Sequence, residues 1–240
     1  MKMTLLMRFC VRMLLARWAS VGRNAQLSTQ SAMVAVGLCG AWLPHAAFGV
    51  TGVGTATYVS GTVYTQPMKG DKHLVQVGDA IENGDTIETA KGAEVVLVMD
   101  DHQRIYLKED TLYRLDDFHY SAQVPAQSYS VTSLLKGGLR VISGLIGKQG
   151  NPNAYELKTQ MSTIGIRGTE WSVDEGDDSH PGENIVVYQG QIAVSTGTYQ
   201  EDLSAGQGTI LHTRHSPVIP TPADQVRGVQ PSPAAAAACG

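Results

Sequence analysis

The stretch Val77-Gly-Asp-Ala-Ile-Glu-Asn-Gly-Asp-Thr-Ile-Glu-Thr89 contains one short pattern, Gly-Asp-x-Ile, twice, six residues apart. In each unit the glycine permits a turn, the aspartate carboxylate can accept hydrogen bonds from backbone N–H groups of that turn, and the isoleucine points into a core. The same stretch offers Asp79, Glu82 and Asp85 as oxygen ligands for calcium, but it lacks the Asp-x-Asp-x-Asp-Gly order of known calcium loops. We therefore predict two turns between short strands.

The same pattern continues on both sides of this stretch. Runs of about five to eight residues rich in Val, Ile, Thr and Tyr are separated by Gly, Asn and Asp from residue 50 onward, which is typical of strands and turns. Only residues 130–136 favour a short helix. We predict an all-β domain, built as a rolled β-sandwich of the jelly-roll type or as a short β-solenoid. The predicted strands span residues 54–59, 61–66, 85–89, 94–99, 104–107, 112–115, 138–142, 154–159, 170–174, 184–188, 191–195 and 208–212.

Glycines at strand starts give the domain a weak internal repeat. Asn83-Gly84 and Gln189-Gly190 each lie between apolar runs, where glycine accepts the positive φ of a tight hairpin. Gly61, Gly138 and Gly190 each begin a strand whose alternate residues point inward. The spacing between these strands is irregular, so the sequence does not support a regular solenoid array.

The first 49 residues have the order of a secretory signal. Five basic residues and no acid come before an apolar run, Met33-Val-Ala-Val-Gly-Leu-Cys-Gly-Ala-Trp-Leu43, which is followed by Pro44 and small residues. Ala47 and Gly49 predict cleavage after Gly49 and hence a periplasmic or secreted protein. An uncleaved anchor is the alternative, but a membrane-spanning helix needs about 20 apolar residues and this run is much shorter.

The net charge and the positions of the cysteines exclude some classes of partner and site. From residue 50 onward, 13 Lys and Arg residues stand against 22 acids, so the net charge is near −9 and nucleic acid is not an expected partner. Cys10 and Cys39 lie in the signal segment and Cys239 is the penultimate residue, which excludes an internal disulfide or thiolate metal site in the domain. Residues 214–240, rich in Pro and Ala, predict a disordered tail after a domain over residues 50–213.

Two further strings are candidates for function. Thr163-Ile-Gly-Ile-Arg-Gly-Thr-Glu-Trp-Ser-Val173 places Arg167 between glycines among β-branched neighbours. An arginine in such an apolar setting pairs with an acid or with carbonyl groups, which predicts a tie between strands. Contact with an anion or a partner peptide is the alternative. The acidic run Asp174-Glu-Gly-Asp-Asp-Ser-His-Pro-Gly-Glu183 predicts a solvated loop, with calcium binding as its alternative.

These strings, in this order, resemble the FecR domain family. The resemblance extends over about residues 59–211, and it also includes Leu135-Lys-Gly-Gly-Leu-Arg-Val141 and Tyr188-Gln-Gly-Gln-Ile-Ala-Val194. Where the family usually turns on Asp-Gly, this chain has Asp100-Asp-His-Gln103. The residues at the family's motif positions are Gly78, Asp79, Gly84, Asp85, Gly138, Gly165, Ile166, Arg167, Gly168, Thr169 and Gly190.

The resemblance implies a role in sensing. In the best-known members the domain is the periplasmic part of an inner-membrane regulator, which relays the ligand state of a TonB-dependent receptor to a cytoplasmic sigma factor. Here the segment before the domain is predicted to be a cleavable signal. The chain therefore looks like the free-standing exported type.

Catalytic and cofactor-binding patterns are missing from the sequence. The histidines are scattered, no Gly-x-Ser-x-Gly nucleophile motif occurs, and the acid pairs Asp100-Asp101 and Asp116-Asp117 place neighbours on opposite faces of a strand. We expect no enzyme activity, no cofactor and no metal. The sequence favours a module that binds another envelope protein. Its nine tyrosines leave a cell-wall or polysaccharide-binding module as the alternative.

Overall fold

A computed structural model describes residues 52–148 and 153–240 of the chain. The predicted signal segment, residues 1–49 with its cleavage site after Gly49, lies outside these residues. In chain order the strands are β1 (Gly54–Ser60), β2 (Val63–Gln66), β3 (His73–Leu74), β4 (Ala80–Ile81), β5 (Thr86–Thr89), β6 (Glu94–Met99), β7 (Arg104–Leu107), β8 (Leu112–His119), β9 (Tyr129–Lys136), β10 (Gly138–Ile142), β11 (Tyr155–Lys158), β12 (Thr163–Ile166), β13 (Glu170–Asp177), β14 (His180–Gln189), β15 (Gln191–Ser195), β16 (Gln200–Ser204), β17 (Gln207–Leu211) and β18 (Thr221–Pro222). Short 3-10 helices occupy Pro125–Gln127, Ile146–Lys148 and Ala223–Gln225, and helix α1 spans Pro233–Cys239.

The strands form two sheets of nine within the described ranges, and neither sheet closes into a barrel. Sheet A has the spatial order β18-β17-β14-β13-β10-β7-β6-β1-β4, and sheet B has the order β16-β15-β12-β11-β9-β8-β5-β2-β3. Buried side chains of both sheets share one core, in which Trp171 and Tyr113 are the largest fully buried members. The predicted all-β fold class is confirmed.

The chain crosses repeatedly from one sheet to the other, and residues with positive φ lie at nine of these crossings in the part of the chain that the structure describes. Because most residues avoid this backbone conformation, glycine occupies nearly all of these corners. The predicted hairpins at Asn83-Gly84 and Gln189-Gly190 are therefore wrong, since these pairs join strands of different sheets. The two sheets form the two layers of a sandwich. Along each sheet the strands follow roughly in chain order, as they do in a solenoid. The corner residues are Gly61, Gly78, Gly84, Gly92, Asp110, Gly137, Gly168, Gly190 and Gly206.

The helix predicted at residues 130–136 is wrong, because this segment forms strand β9. One edge of β9 pairs antiparallel with β8 and the other pairs parallel with β11. Ser130, Thr132 and Leu134 are buried, as alternation on a strand requires. Pairing on both edges outweighs the local helical preference of two adjacent leucines.

The acidic run over residues 174–183 is a hairpin and not the predicted solvated loop. Strands β13 and β14 continue through this run. They pair from Glu170 opposite Gln189 to Asp177 opposite His180, with a bulge between Asp174 and Gly176. Asp174 and Glu183 are buried, since they are 3% and 0% exposed. Both carboxylates have hydrogen-bond partners, which allows charged groups to lie inside a sheet.

The structure also corrects the predicted disorder of residues 214–240. Val218, Val226, Val229 and Ala235 are buried, and α1 begins after Ser232, whose Oγ accepts a hydrogen bond from the N–H of Ala235. Proline content predicts disorder only when a segment has no apolar surface on which to pack, and sheet A supplies that surface. Among the described residues, no helix is both long and apolar enough to cross a bilayer.

Candidate functional site

The outer face of sheet A carries a hydrogen-bonded cluster around Glu94, the first residue of β6. Tyr58 and Tyr106 donate their hydroxyls to the two carboxylate oxygens, each at 3.0 Å. Ser232 of the tail donates its hydroxyl to Oε1 of Glu94 at 2.5 Å. Burial by itself raises the pKa of Glu94, but the bonds from Ser232, Tyr58 and Tyr106 outweigh it and hold the pKa below its ordinary value.

A second polar cluster surrounds Arg140 on β10. The guanidinium donates to Glu170 Oε1 through Nε at 3.0 Å and through Nη2 at 2.7 Å. It also lies over the ring of Tyr188, 3.9 Å from the ring centre, in a cation–π contact. Its Nη1 donates to Oε1 of Gln230 at 2.9 Å and to the carbonyl of Val229 at 3.4 Å. Arg140 therefore joins two strands of the sheet to the tail.

Asp174 on β13 forms a third polar cluster. Lys108 donates to both of its carboxylate oxygens, at 3.0 and 2.9 Å, and Arg227 of the tail donates to Oδ2 at 2.9 Å. Arg227 also reaches Asp177 at 3.5 Å. A buried carboxylate requires such compensation, because isolated charge is costly in a low dielectric.

Apolar side chains fill the space between these three clusters. Val96 and Tyr106 of sheet A pack with Val229 and Ala235 of the tail, and Cys239 lies at the border of this group. We call residues 226–240 the tail segment. The residues that hold this segment lie on the strands of sheet A or directly after one of them, and we call them the docking face. They are Tyr58, Glu94, Val96, Tyr106, Lys108, Arg140, Asp174 and Tyr188.

Sequence reasoning missed the docking face. Glu94 and Arg140 lie at outward positions of strands whose alternate residues are apolar and buried. Such positions are ordinarily solvated, so the pattern alone gives no reason to assign them a partner. The available signal was the recurrence of tyrosine at outward positions beside a charge, as at Tyr106 and Tyr188.

The two Gly-Asp motifs form matching turns. Asp79 Oδ2 accepts a hydrogen bond from the N–H of Gln76 at 2.7 Å, and Asp85 Oδ2 accepts one from the N–H of Glu82 at 2.9 Å. Gly78 and Gly84 have φ of 97° and 88°. Each carboxylate thus closes its own turn, as the sequence predicts. Among the described residues, no group of three or more His, Cys, Asp or Glu side chains is arranged to hold a metal ion.

The Gly-Ile-Arg-Gly-Thr string forms the corner between β12 and β13. Gly165 and Ile166 belong to β12, where they pair with β15. The N–H of Thr169 donates to Oγ of Ser143 at 3.0 Å, and the Ser143 hydroxyl donates to the Thr169 carbonyl at 2.7 Å. Gly168 meets Gly190 at this corner, because a Cβ on Gly190 would lie 2.3 Å from the Gly168 carbonyl oxygen.

Two other motif residues have different surroundings. Gly138 begins β10, and its N–H donates to Oγ1 of Thr111 at 3.1 Å. Arg167 is exposed, and its side chain forms no ion pair with any residue in the described ranges. The predicted strand tie through Arg167 is therefore wrong. Since the strand ends at Ile166, the next side chain turns outward at the corner and leaves the apolar environment.

The turn at Asp100-Asp-His-Gln103 has a positive φ at a residue other than glycine. His102 adopts a φ of 66°, a conformation that favours glycine. Asp101 stabilises the turn, since its Oδ1 accepts the N–H of Gln103 at 3.0 Å and its Oδ2 accepts the N–H of Ile146 at 3.1 Å. Burial raises the pKa of Asp101. This carboxylate is occupied by backbone donors.

A pair of acids lies between the β13–β14 hairpin and the turn after β11. Thr159 and Ser162 donate hydroxyls to Glu183 at 2.6 and 2.5 Å, while burial raises its pKa. Glu175 accepts the N–H of Gln160 at 3.1 Å. Burial and then the charge of Glu183 raise the pKa of Glu175 to about 7.

Residues 85–193 match the model of the FecR protein family. The match covers a little under half of the chain. The matched range includes every docking-face residue except Tyr58, whereas the tail segment lies outside it. The resemblance seen in the sequence is confirmed.

Two crystal structures of a candidate anti-sigma factor from Parabacteroides distasonis are also similar to this chain. Sequence identity is 12% for one and 13% for the other, and the TM-score is 0.47 for both. Each alignment covers 57% of this chain, which spans 59% of the length of the other. No curated protein matches the sequence.

Proposed function

We propose that the protein is an exported, non-enzymatic FecR-domain module, which takes part in sensing by binding another protein of the cell envelope. The observation that carries this proposal is the docking face. Within the residues that match the FecR family, sheet A holds a polypeptide segment through three polar clusters around an apolar centre. Tyrosine, arginine and a desolvated apolar centre are the composition of protein-binding surfaces.

The location of the protein is part of the proposal. The basic region, short apolar run and small residues at positions 47 and 49 support export with removal of residues 1–49. The mature protein then resides in the periplasm or is secreted.

The described carboxylates support a binding role over a catalytic one. Asp79, Asp85 and Asp101 accept backbone N–H groups, and Glu94 and Asp174 accept tail side chains. A general acid or base must instead be within reach of a substrate proton. These contacts assign the carboxylates to turns and to the docking face.

Crosslinking of the tagged protein in intact cells, followed by purification of the envelope fraction, tests the proposal. We expect one envelope protein to be recovered reproducibly with the tagged chain and to be lost from a Glu94→Lys variant. A Glu88→Lys variant on sheet B is the matched control and is expected to retain the partner. Recovery of no protein, together with sedimentation of the purified chain by peptidoglycan or glycans, would instead support the carbohydrate-binding alternative.

A further inference from the structure

The tail segment lies on the docking face without joining the sheet. None of residues 226–240 belongs to a strand, although the outermost strand of sheet A, β18, ends at Pro222. Side chains make most of the polar contacts: Asp174 holds Arg227, Arg140 holds Gln230, and Glu94 holds Ser232. Even the N–H of Val229 donates to a side chain, Oγ of Ser172, at 3.2 Å. Recognition by side chains selects a sequence, whereas pairing with a sheet edge selects mainly an extended backbone.

The contacts define the chemistry that the docking face accepts. Asp174 binds the guanidinium of Arg227, and Glu94 accepts a hydrogen bond from the hydroxyl of Ser232. Between them, Val96 and Tyr106 pack against the aliphatic side chain of Val229. The required groups are therefore a cation, an aliphatic residue two positions later and a hydroxyl three positions after that. A segment that presents these three groups at this spacing satisfies all three sites.

The fit of the tail is incomplete in one respect. Nε of Arg227 is buried and has no hydrogen-bond partner in the described part of the chain. An unsatisfied buried donor carries a desolvation penalty. A competing segment that avoids this penalty gains affinity over the tail.

We propose that the docking face is a peptide-recognition site of the FecR domain, filled within the chain by the tail segment, and that a protein partner binds by replacing the tail with an extended segment of the same chemistry. The inference rests on the proposed function and adds the surface and the kind of partner segment. The tail then acts as an intramolecular competitor. Its release determines the apparent affinity, because only the open fraction can bind.

Cys239 gives a direct measure of tail release. It is half-buried against the docking face and is the last residue of α1. Alkylation of its thiol, followed by mass spectrometry of the C-terminal peptide, reports how often the tail opens. In the full chain, an Arg227→Glu/Ser232→Ala variant loses two of the three polar contacts of the tail and keeps the docking face intact. We expect its Cys239 to be alkylated at least about tenfold faster, whereas a Ser204→Ala control on the exposed strand β16 reacts at the unchanged rate.

The second measurement tests recognition by adding the segment in trans. A fluorescent peptide with the sequence of residues 224–238 is titrated into the unchanged full chain and into the Arg227→Glu/Ser232→Ala chain, with fluorescence anisotropy as the readout. We expect binding to the variant at least about tenfold tighter than to the unchanged chain, because the variant's own tail competes poorly. The same peptide carrying Arg227→Glu is expected not to bind.

Three results would overturn the inference. They are an unchanged rate of Cys239 alkylation in the variant, absence of peptide binding to a variant that does alkylate faster, and equal binding of the charge-reversed peptide. Peptide binding is measured on the purified protein, so its failure is separate from failure of the envelope capture. Peptide binding without an envelope partner would remove the proposed function and leave the recognition site.

Discussion

At the scale of single residues, position in the fold explains why glycine occupies the corners. Gly190 and Gly206 both have positive φ, of 73° and 82°, but their surroundings differ. A Cβ on Gly190 would overlap the Gly168 carbonyl, whereas a Cβ on Gly206 would meet nothing within 4 Å. Comparison of the two positions therefore separates the free-energy cost of a positive φ from the cost of a close contact between a Cβ and the neighbouring backbone.

Replacement of these glycines by alanine gives the first prediction. Gly206→Ala is expected to lower the free energy of unfolding by about 1 to 2 kcal/mol, the cost of a left-handed conformation. Gly190→Ala is expected to lower it by about 2 to 5 kcal/mol, because overlap adds to that cost. Urea denaturation of both variants measures the difference. Equal losses would mean that the corner between β12 and β13 relaxes without resistance.

Glu175 gives a prediction about pH. Its pKa is raised to about 7 in the folded protein from 4.5, so the folded state binds more protons than the unfolded state between these values. The contribution of protonated Glu175 to the free energy of unfolding is therefore fully present at low pH and is lost as the pH rises through 7. Glu175→Gln is expected to be more stable than the unchanged chain at pH 8, by about 1 to 2 kcal/mol after allowance for solvent screening.

Chemical denaturation at pH 5 and pH 8 measures this effect. Glu201→Gln, at an exposed position of edge strand β16, is the control and is expected to leave the pH dependence unchanged. A pH dependence that survives in Glu175→Gln would assign it to another group.

At the scale of elements, β9 shows how pairing overrides local preference. Leu134 is 1% exposed and its neighbour Leu135 is 37% exposed, because adjacent residues of a strand face opposite sides. Leu134→Ala is expected to destabilise the protein by about 2 to 5 kcal/mol, and Leu135→Ala by less than about 1 kcal/mol. Thermal unfolding of the two variants provides the test. Similar losses at both positions would contradict the strand.

The elements also show what the sequence can and cannot predict. Residues 94–99, 104–107, 138–142 and 191–195 are short apolar or alternating runs between turn residues, and the structure has strands with those same bounds. The sequence of residues 130–136 alone favours a helix, because the pairing with β8 and β11 that makes it a strand involves residues outside this segment. The acidic run from Asp174 to Glu183 predicts a loop, because burial of these two carboxylates depends on Lys108, Thr159 and Ser162, which lie outside the run. The docking face depends in the same way on a tail that composition alone makes look disordered.

At the scale of the whole molecule, export is the property most readily checked. Intact mass and fractionation of the natively expressed protein are expected to give a soluble envelope product that begins at Val50. A full-length product in the inner membrane would show that the N-terminal run is an anchor.

We propose that the protein acts by binding another protein through the docking face. Replacement of Arg104, which lies beside α1 on sheet A, by a photo-crosslinking amino acid tests it most directly in living cells. The same replacement at Arg114, an exposed residue of sheet B, is the control. We predict a discrete adduct with one envelope protein from position 104, stronger in the Arg227→Glu/Ser232→Ala background, and no such adduct from position 114. Adducts of equal strength from both positions, or from position 114 alone, would show that the partner does not bind at the docking face.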